Sequence, residues 1–250
     1  FRAFGLDYMF VKEGNNVQSL IDALKKIKDI DHPIVVHVCT VKGKGYEFAE
    51  QNQETTHFVS PFDIQTGASK IEVSKERYDK IIGNYLLDKM KADSKVFTLM
   101  AATPVVLDFT EEKRKEAGKQ YIDVGIAEEH AIAMAAGIAK NGGKPVFSTK
   151  STFIQRAYDQ ISQEVCMNNL PVTMIVVNAS VFVSTDMSHL GFFDIPMMSN
   201  IPNLVYLAPT NKEEYLAMLD WSIEQSDYPV AIRAPRNGVY YSKGTVDKEY

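Results

Sequence analysis

The chain has 250 residues, 45% of them hydrophobic, and a formal net charge of −5 from 27 basic and 32 acidic side chains. No apolar run approaches the ~20 residues of a membrane span, and the interspersed charges argue against nucleic acid or an anionic membrane as the main partner. Cys39 and Cys166, each in an apolar stretch, predict two buried thiols in a reducing cytoplasm rather than a disulfide.

Residues 1–70 have the pattern expected for the tail of an α/β domain. Apolar residues at helical spacing predict a helix over 17–30, with Asn15 or Asn16 as its cap. A β-branched run over 32–40 predicts a strand buried on both faces. Glycines and polar residues follow, which predicts a loop, a linker and a domain boundary near residue 70.

Residues 71–250 alternate between strand and helix patterns. Helices are predicted over 74–93, 109–118, 127–142, 152–169 and 211–226, and strands over 96–103, 121–125, 144–150, 171–179, 203–209 and 229–235. This alternation predicts an α/β fold, a doubly wound, mostly parallel sheet with helices on both faces. Ligands bind such sheets beyond the carboxyl ends of the strands, which directs attention to GIAEEH, STKSTFIQR, NASVFVSTDMSHLG and RAPRN.

Glu128 and Glu129 follow a predicted strand and begin the next helix. The simplest explanation is electrostatic, because carboxylates in the first turn of a helix interact favourably with its dipole. The alternative is a buried carboxylate with a chemical role. The nearly apolar run over 131–139, AIAMAAGIA, predicts a deeply packed helix and favours this alternative; it would also suit an inter-subunit or inter-domain contact.

Five segments, in order, resemble the pyrimidine-binding domain of the 1-deoxy-D-xylulose-5-phosphate synthases, a family of the transketolase group: DVGIAEEHAIAMAAGIA, STFIQRAYDQ, SHLGFFD, IPNLVYLAPTNKEE and IRAPRN. GLDYMFVKEGNNVQSLIDALK, HVCTVKGKGYEFAE and THFVSPFD resemble the end of that family's diphosphate-binding domain. The resemblance implies a thiamine-diphosphate-binding fold over 71–250, preceded over 1–70 by the tail of a second, similar domain. It also implies a cytoplasmic homodimer that condenses pyruvate with glyceraldehyde 3-phosphate, with loss of carbon dioxide, for isoprenoid and thiamine biosynthesis.

The same resemblance implies cofactors, thiamine diphosphate with Mg²⁺, and roles for individual residues. Glu128 would hydrogen-bond the ring nitrogen N1′ of the cofactor's aminopyrimidine and so activate the cofactor. His57 and His189 would act in proton transfer or orientation near the substrate. The remaining residues would bind ligands: Lys42, Phe153 and Arg156 the cofactor, and Arg236 the phosphate of the aldehyde substrate.

Several positions depart from the family pattern. Asn178 stands where the family has a second phosphate-binding arginine, and Lys150 where a tyrosine near the substrate is usual; both are kept as candidate substrate-binding residues. Glu129 replaces a usual glutamine, and Asn15 replaces a histidine. The cofactor-activating positions are thus retained while substrate-contacting ones differ, which predicts weaker use of glyceraldehyde 3-phosphate than in a typical member.

The family's metal-binding GDG motif does not occur in the sequence and is expected upstream of Phe1, so no metal ligand is assigned. Two alternatives to the synthase stay open. One is a related enzyme that acts on a different aldehyde or 2-oxo acid. The other is a catalytically silent homologue that serves as an assembly module.

Overall fold

The computed structural model describes residues 1–57, 59–71, 76–180, 187–234 and 238–250. Contacts within the chain divide it into two compact units, Phe1–Val73 and Ser74–Tyr250. In the described ranges, no helix combines the length and the apolar character that crossing a bilayer requires.

The first unit contains a two-stranded parallel sheet of β1 (Asp7–Val11) and β2 (Ile34–Val38), with α1 (Val17–Ile27) between them in sequence and α2 (Glu47–Gln51) after them. Asn16 caps α1, because its side chain accepts a hydrogen bond from the backbone of Ser19 at 3.0 Å. Strand β1 lies outside the predicted elements. Because this sheet has only two strands, the prediction that β2 is buried on both faces is wrong for this unit. The predicted burial of the Cys39 thiol is wrong as well, since Cys39 is exposed.

The second unit is built on a sheet of six parallel strands. The strands are β3 (Val96–Met100), β4 (Tyr121–Asp123), β5 (Lys144–Lys150), β6 (Thr173–Val177), β7 (Val205–Leu207) and β8 (Val230–Arg233). Their order in the sheet is β4-β3-β5-β6-β8-β7. The chain moves outward from β3 to β4, returns across β3 to β5, and continues to the other edge.

Helices cover both faces of this sheet. They are α3 (Tyr78–Ala92), α4 (Glu111–Ala117), α5 (Glu128–Lys140), α6 (Ser151–Ile154), α7 (Tyr158–Gln160), α8 (Asp194–Ser199) and α9 (Lys212–Glu224). Successive strand residues belong to opposite apolar clusters, as the two-residue period of a strand requires: Val146 packs with α3 and α9, while Phe147 packs with α5. The predicted doubly wound α/β fold is confirmed.

The single helix predicted over 152–169 is wrong in detail. After α6 the chain makes a 3-10 turn at Gln155–Ala157, then α7, then a π-helical segment at Ile161–Cys166. The wider turn of the π segment keeps Ile161, Val165 and Cys166 buried together. Helix α8 was not predicted.

An ionic network joins α3, β5 and α9. Lys89 lies 2.5 Å from Asp220 and 2.8 Å from Glu224, and Lys144 lies 2.5 Å from Glu224 and 3.1 Å from Asp93. The hydrogen bonds from Lys144 and Lys89 lower the pKa of Glu224 below its ordinary value of 4.5. The ionised carboxylate of Glu224 therefore stabilises the fold above that pH, and the contribution is lost as the pH falls through the lowered folded-state pKa.

We expect Glu224→Gln to lower the free energy of unfolding by about 0.5 kcal/mol at pH 7, a small effect because the side chain is half exposed and screened by solvent. The difference from the unsubstituted protein should shrink as the pH falls well below 4.5. Chemical denaturation at a series of pH values measures both. Glu164→Gln, at an exposed position without an ion pair in the described structure, is the control; equal effects of the two substitutions would contradict the prediction.

Candidate active site

The turn between β4 and α5 is fixed by Asp123. Its Oδ1 accepts hydrogen bonds from the backbone of Gly125 at 2.9 Å and of Ala102, just after β3, at 3.0 Å. Gly125 adopts a left-handed conformation, with φ of 75°, that glycine accepts without strain. The ends of two adjacent strands are therefore tied together beside the start of α5.

Glu128, the first residue of α5, is buried, with a side chain only 3% exposed. Its Oε2 lies 3.1 Å from Nη1 of Arg156, yet no described side chain or backbone group gives this oxygen a hydrogen bond. Buried polar atoms are nearly always hydrogen-bonded, so an unsatisfied acceptor calls for an explanation. The helix dipole accounts for the half-exposed Glu129, whose Oε1 lies 3.7 Å from Nη2 of Arg156, but not for the burial of Glu128.

Phe153 lies at the centre of a second group of contacts, in the helix that follows β5. Nζ of Lys150 is 5.3 Å from the centroid of the Phe153 ring, within the range of a cation–π interaction. The ring of His189 meets Phe153 edge to face, with 5.3 Å between centroids. Next to them, the hydroxyl of Thr152 donates to the carbonyl of Ser188 at 3.0 Å.

The segment after β6 packs closely against the loop that carries His189. Asn178 has a φ of 56°, a left-handed conformation that asparagine tolerates better than most residues. The backbone of Gly191 donates to Ser180 at 2.9 Å, and a Cβ at Gly191 would lie 2.2 Å from the carbonyl oxygen of Asn178. Only glycine allows this approach of two backbones.

Asp194, the first residue of α8, is fully buried and accepts three side-chain hydrogen bonds. Ser151 donates to Oδ1 at 3.0 Å, and Tyr206 and Arg233 donate to Oδ2 at 2.5 Å and 2.7 Å. Arg233 also donates to the carbonyl of Gly191 at 3.2 Å. Burial, together with the hydrogen bond to Asp194, raises the pKa of Tyr206.

Sequence reasoning assigned no function to any of these donors or to Asp194. The signal that could have indicated a role for Asp194 is its position as a lone carboxylate in the apolar stretch FFDIPMM. An acid buried among apolar residues needs hydrogen-bond partners.

In the first unit, two predicted site residues touch each other. The ammonium of Lys42 lies 2.6 Å from Nδ1 of His57. Asn15 holds the backbone beside Lys42, because its Oδ1 accepts from the backbone of Val41 at 2.6 Å and its Nδ2 donates to the carbonyl of Val41 at 3.3 Å. Asn15, which replaces the family histidine, thus fixes the backbone next to Lys42.

The predicted site residues of the second unit that are described lie at the carboxyl ends of strands or in the segments after them: Glu128, Lys150, Phe153, Arg156, Asn178 and His189. Arg236 lies outside the described residues. Across the described part of the chain, no group of three or more His, Cys, Asp or Glu side chains is placed to hold a metal ion.

Two family models match the chain. The one described as "Transketolase, pyrimidine binding domain" matches residues 75–240, and the one described as "1-deoxy-D-xylulose-5-phosphate synthase" matches residues 1–40.

Curated proteins named 1-deoxy-D-xylulose-5-phosphate synthase are similar over nearly the whole chain. Those of Clostridium acetobutylicum and Clostridium perfringens strain SM101 are 37% and 40% identical, each over 95% of this chain and 38% of their own length. That of Thermosynechococcus vestitus is 40% identical over 96% of this chain and 38% of its own length. The chain therefore spans less than two fifths of the length of these relatives.

Two solved structures share the fold. A split-gene transketolase, described as an inactive β4 tetramer, aligns with a TM-score of 0.53 and 24% identity over 66% of this chain and 52% of its own. A transketolase mutant from Pichia stipitis, in complex with fructose 6-phosphate, aligns with a TM-score of 0.59 and 14% identity over 98% of this chain and 49% of its own.

Proposed function

Because the chain belongs to the family of transketolase pyrimidine-binding domains, we propose that the protein carrying it is a thiamine-diphosphate-dependent transferase of the 1-deoxy-D-xylulose-5-phosphate synthase type. It would condense pyruvate with glyceraldehyde 3-phosphate, releasing carbon dioxide, and so serve isoprenoid and thiamine biosynthesis. The observation that carries this proposal is Glu128, a buried carboxylate at the carboxyl end of the sheet with an oxygen that no described group hydrogen-bonds.

The side chains of the second unit fit the aminopyrimidine half of thiamine diphosphate. The unsatisfied Oε2 of Glu128 is an acceptor for a protonated ring nitrogen, and Phe153 offers an aromatic surface for a flat ring. Nη1 of Arg156, 3.1 Å from this oxygen, places a positive charge beside the carboxylate. When bound, thiamine diphosphate supplies a nucleophilic carbon that attacks the carbonyl of a 2-oxo acid.

In the first unit, we propose that Lys42 acts on the diphosphate and His57 on the substrate. The ammonium of Lys42 is a point charge suited to a phosphate oxygen, and His57 lies within hydrogen-bond distance of it. Asn15 fixes the backbone at Val41, next to Lys42. Mg²⁺ is proposed as the counter-ion of the diphosphate, without a ligand assigned among the described residues.

We propose that the substrates are held by the remaining predicted residues. His189 would orient or protonate a substrate oxygen, and Lys150, Asn178 and Arg236 would receive the anionic aldehyde. The proposal also includes a homodimer in the cytoplasm; the two free cysteines fit a reducing compartment.

A second candidate is a related enzyme with a different aldehyde or 2-oxo acid as substrate. It is favoured by Asn178, whose left-handed backbone suits asparagine better than the arginine usual in the family. It is also favoured by Lys150, which places an ammonium 5.3 Å from the Phe153 ring where a tyrosine is usual.

We expect Lys150→Met to lower kcat/KM for glyceraldehyde 3-phosphate about tenfold, since a charge-assisted hydrogen bond to a phosphate contributes roughly 1.5 kcal/mol. Unphosphorylated glyceraldehyde should lose less than about twofold, because it has no anion for the ammonium to bind. Steady-state kinetics with both aldehydes measure the ratio, with Lys140→Met, at the exposed end of α5, as the control. Equal losses for the two aldehydes would remove Lys150 from phosphate recognition.

The experiment that tests the proposed function uses the whole protein. Binding of thiamine diphosphate in the presence of Mg²⁺ is titrated by calorimetry, and carbon dioxide release from pyruvate is then measured with and without glyceraldehyde 3-phosphate. Saturable binding and acceptor-dependent release are expected. Absence of cofactor binding would exclude both enzymatic candidates and favour a silent assembly module.

A further inference from the structure

The loop that carries His189, residues 188–193, is attached to α6 at its first end and, through Asp194, to α6, β7 and β8 at its other end. At the first end, Thr152 donates to the carbonyl of Ser188 and the ring of His189 contacts Phe153. At the other end, the carboxylate of Asp194 is buried among side-chain donors. Between the ends, the backbone of Gly191 packs on the segment after β6.

We propose that Asp194 is a positioning residue, which sets the place of His189 in the active site by fixing the far end of this loop to β8, β7 and the start of α6. The proposal rests on the proposed function, in which His189 meets the substrate. Asp194 itself is fully buried and acts only through the loop.

The three donors of Asp194 come from three separate elements, α6, β7 and β8. Ser151 follows β5 and lies two residues before Phe153, the partner of His189. Tyr206 lies in β7 and Arg233 ends β8. The carboxylate of Asp194 therefore ties the loop to α6, the same short helix that carries Phe153. The rings of Phe153 and His189 are thus both positioned by contacts to α6.

Arg233 links Asp194 to the middle of the loop as well. Its Nε donates to Asp194 at 2.7 Å while its Nη2 donates to the carbonyl of Gly191 at 3.2 Å, two residues after His189. Replacing a buried ion pair with apolar residues of similar volume is often neutral or stabilising, so stability alone does not require one here. In this loop, the directional hydrogen bonds of the pair fix the position of the backbone next to His189.

A chemical test follows the position of His189 without reference to activity. Diethyl pyrocarbonate modifies accessible imidazoles, and peptide mass spectrometry gives the rates at His189 and at the exposed His130 in the same protein. We expect Asp194→Asn to raise the ratio of the two rates at least about threefold, because the loop then opens more often. Tyr206→Phe, which removes one donor without unpairing a charge, should raise it less, and serves if Asp194→Asn does not fold.

The matched control is Asp220→Asn. Asp220 also accepts from a tyrosine, Tyr85, and lies 2.5 Å from a cation, Lys89, but in the contact between α3 and α9. It should leave the ratio unchanged. A ratio that is equally unchanged in Asp194→Asn and Tyr206→Phe overturns the proposal.

A double-mutant cycle in the whole enzyme links this position to turnover. Asp194→Asn should lower kcat/KM at least about tenfold alone, but less than about twofold when His189 is already alanine, since residues that act through one another are not additive. Equal losses in both backgrounds would mean that Asp194 acts on the fold in general and would overturn the proposal. If the unsubstituted protein shows no thiamine-diphosphate-dependent turnover, the proposed function fails, and the modification rates still decide the role of Asp194.

Discussion

Replacing Glu128 with glutamine is expected to lower kcat for pyruvate consumption by about 10²–10⁴-fold, the range found when a group that transfers or holds a catalytic proton is removed. Glutamine has nearly the same shape but cannot carry the negative charge that favours a protonated ring nitrogen. The binding pocket is therefore kept while the state of the bound ring changes. Stopped-flow or steady-state measurement of carbon dioxide release gives the loss in kcat.

The fold should survive this substitution. Arg156, the ionic partner of Glu128, is 46% exposed and retains Glu129 at 3.7 Å, so its charge is not left buried and unpaired. Far-ultraviolet circular dichroism and the melting temperature should accordingly change little.

Glu129→Gln is the matched control, since it makes the same chemical change one residue further along α5, at a half-exposed side chain. We expect less than about a threefold change in kcat from it, because surface ion pairs contribute little. If Glu128→Gln retains normal turnover while Glu129→Gln loses it, the role proposed for Glu128 belongs to Glu129 instead. If both retain it, the proposed chemistry does not depend on this helix start.

The architecture of the second unit could be predicted from the sequence because its central strands, β3, β5, β6 and β8, are buried on both faces. Such strands must be apolar almost throughout, as at Val172 to Val177, and the helices between them must be amphipathic or apolar. The prediction of burial fails where a sheet is too small to cover both faces of a strand. Strand β2 lies in a two-stranded sheet, and its apolar run does not produce full burial in the first unit.

The interruption of the helix predicted over 152–169 has a different origin. Intrinsic helix propensity does not distinguish an α-helical turn from the 3-10 turn at Gln155–Ala157 or the π-helical segment at Ile161–Cys166. The three helix types differ in which backbone carbonyl accepts a hydrogen bond from each amide, and packing against the sheet determines which type forms.

The candidate site was predicted residue by residue from a resemblance, but its contacts were not. Glu128 and Arg156 are separated by 28 positions in the sequence and meet only because α5 and the segment after β5 lie side by side. The hydrogen bond from Ser151 to Asp194 likewise joins the starts of α6 and α8, which no local pattern connects. A sequence pattern predicts which faces are buried; which two polar groups meet there depends on the order of the strands.

Two glycines in helices allow a direct test of the packing around the sheet. Gly83 lies on the buried face of α3, where an added Cβ would be 1.9 Å from the backbone carbonyl oxygen of Leu107, the last residue of the 3-10 turn Pro104–Leu107. Gly137 lies on the exposed face of α5, and an added Cβ there would meet nothing within 4 Å. The same substitution by alanine therefore has opposite physical consequences at the two sites.

We expect Gly83→Ala to lower the free energy of unfolding by about 2–3 kcal/mol, because α3 must move away from the turn that ends at Leu107 and overpacking of this kind has that cost. The gain in helix propensity, roughly 0.5–1 kcal/mol, offsets only part of it. Gly137→Ala should show that gain alone and raise stability by about 0.5–1 kcal/mol. Chemical denaturation of the whole protein measures both values.

If Gly83→Ala is as mild as Gly137→Ala, the contact between α3 and the Leu107 turn is not the one described. If Gly137→Ala instead destabilises the assembled protein, its face of α5 is covered by another domain or subunit, a contact that the apolar run over 131–139 would suit.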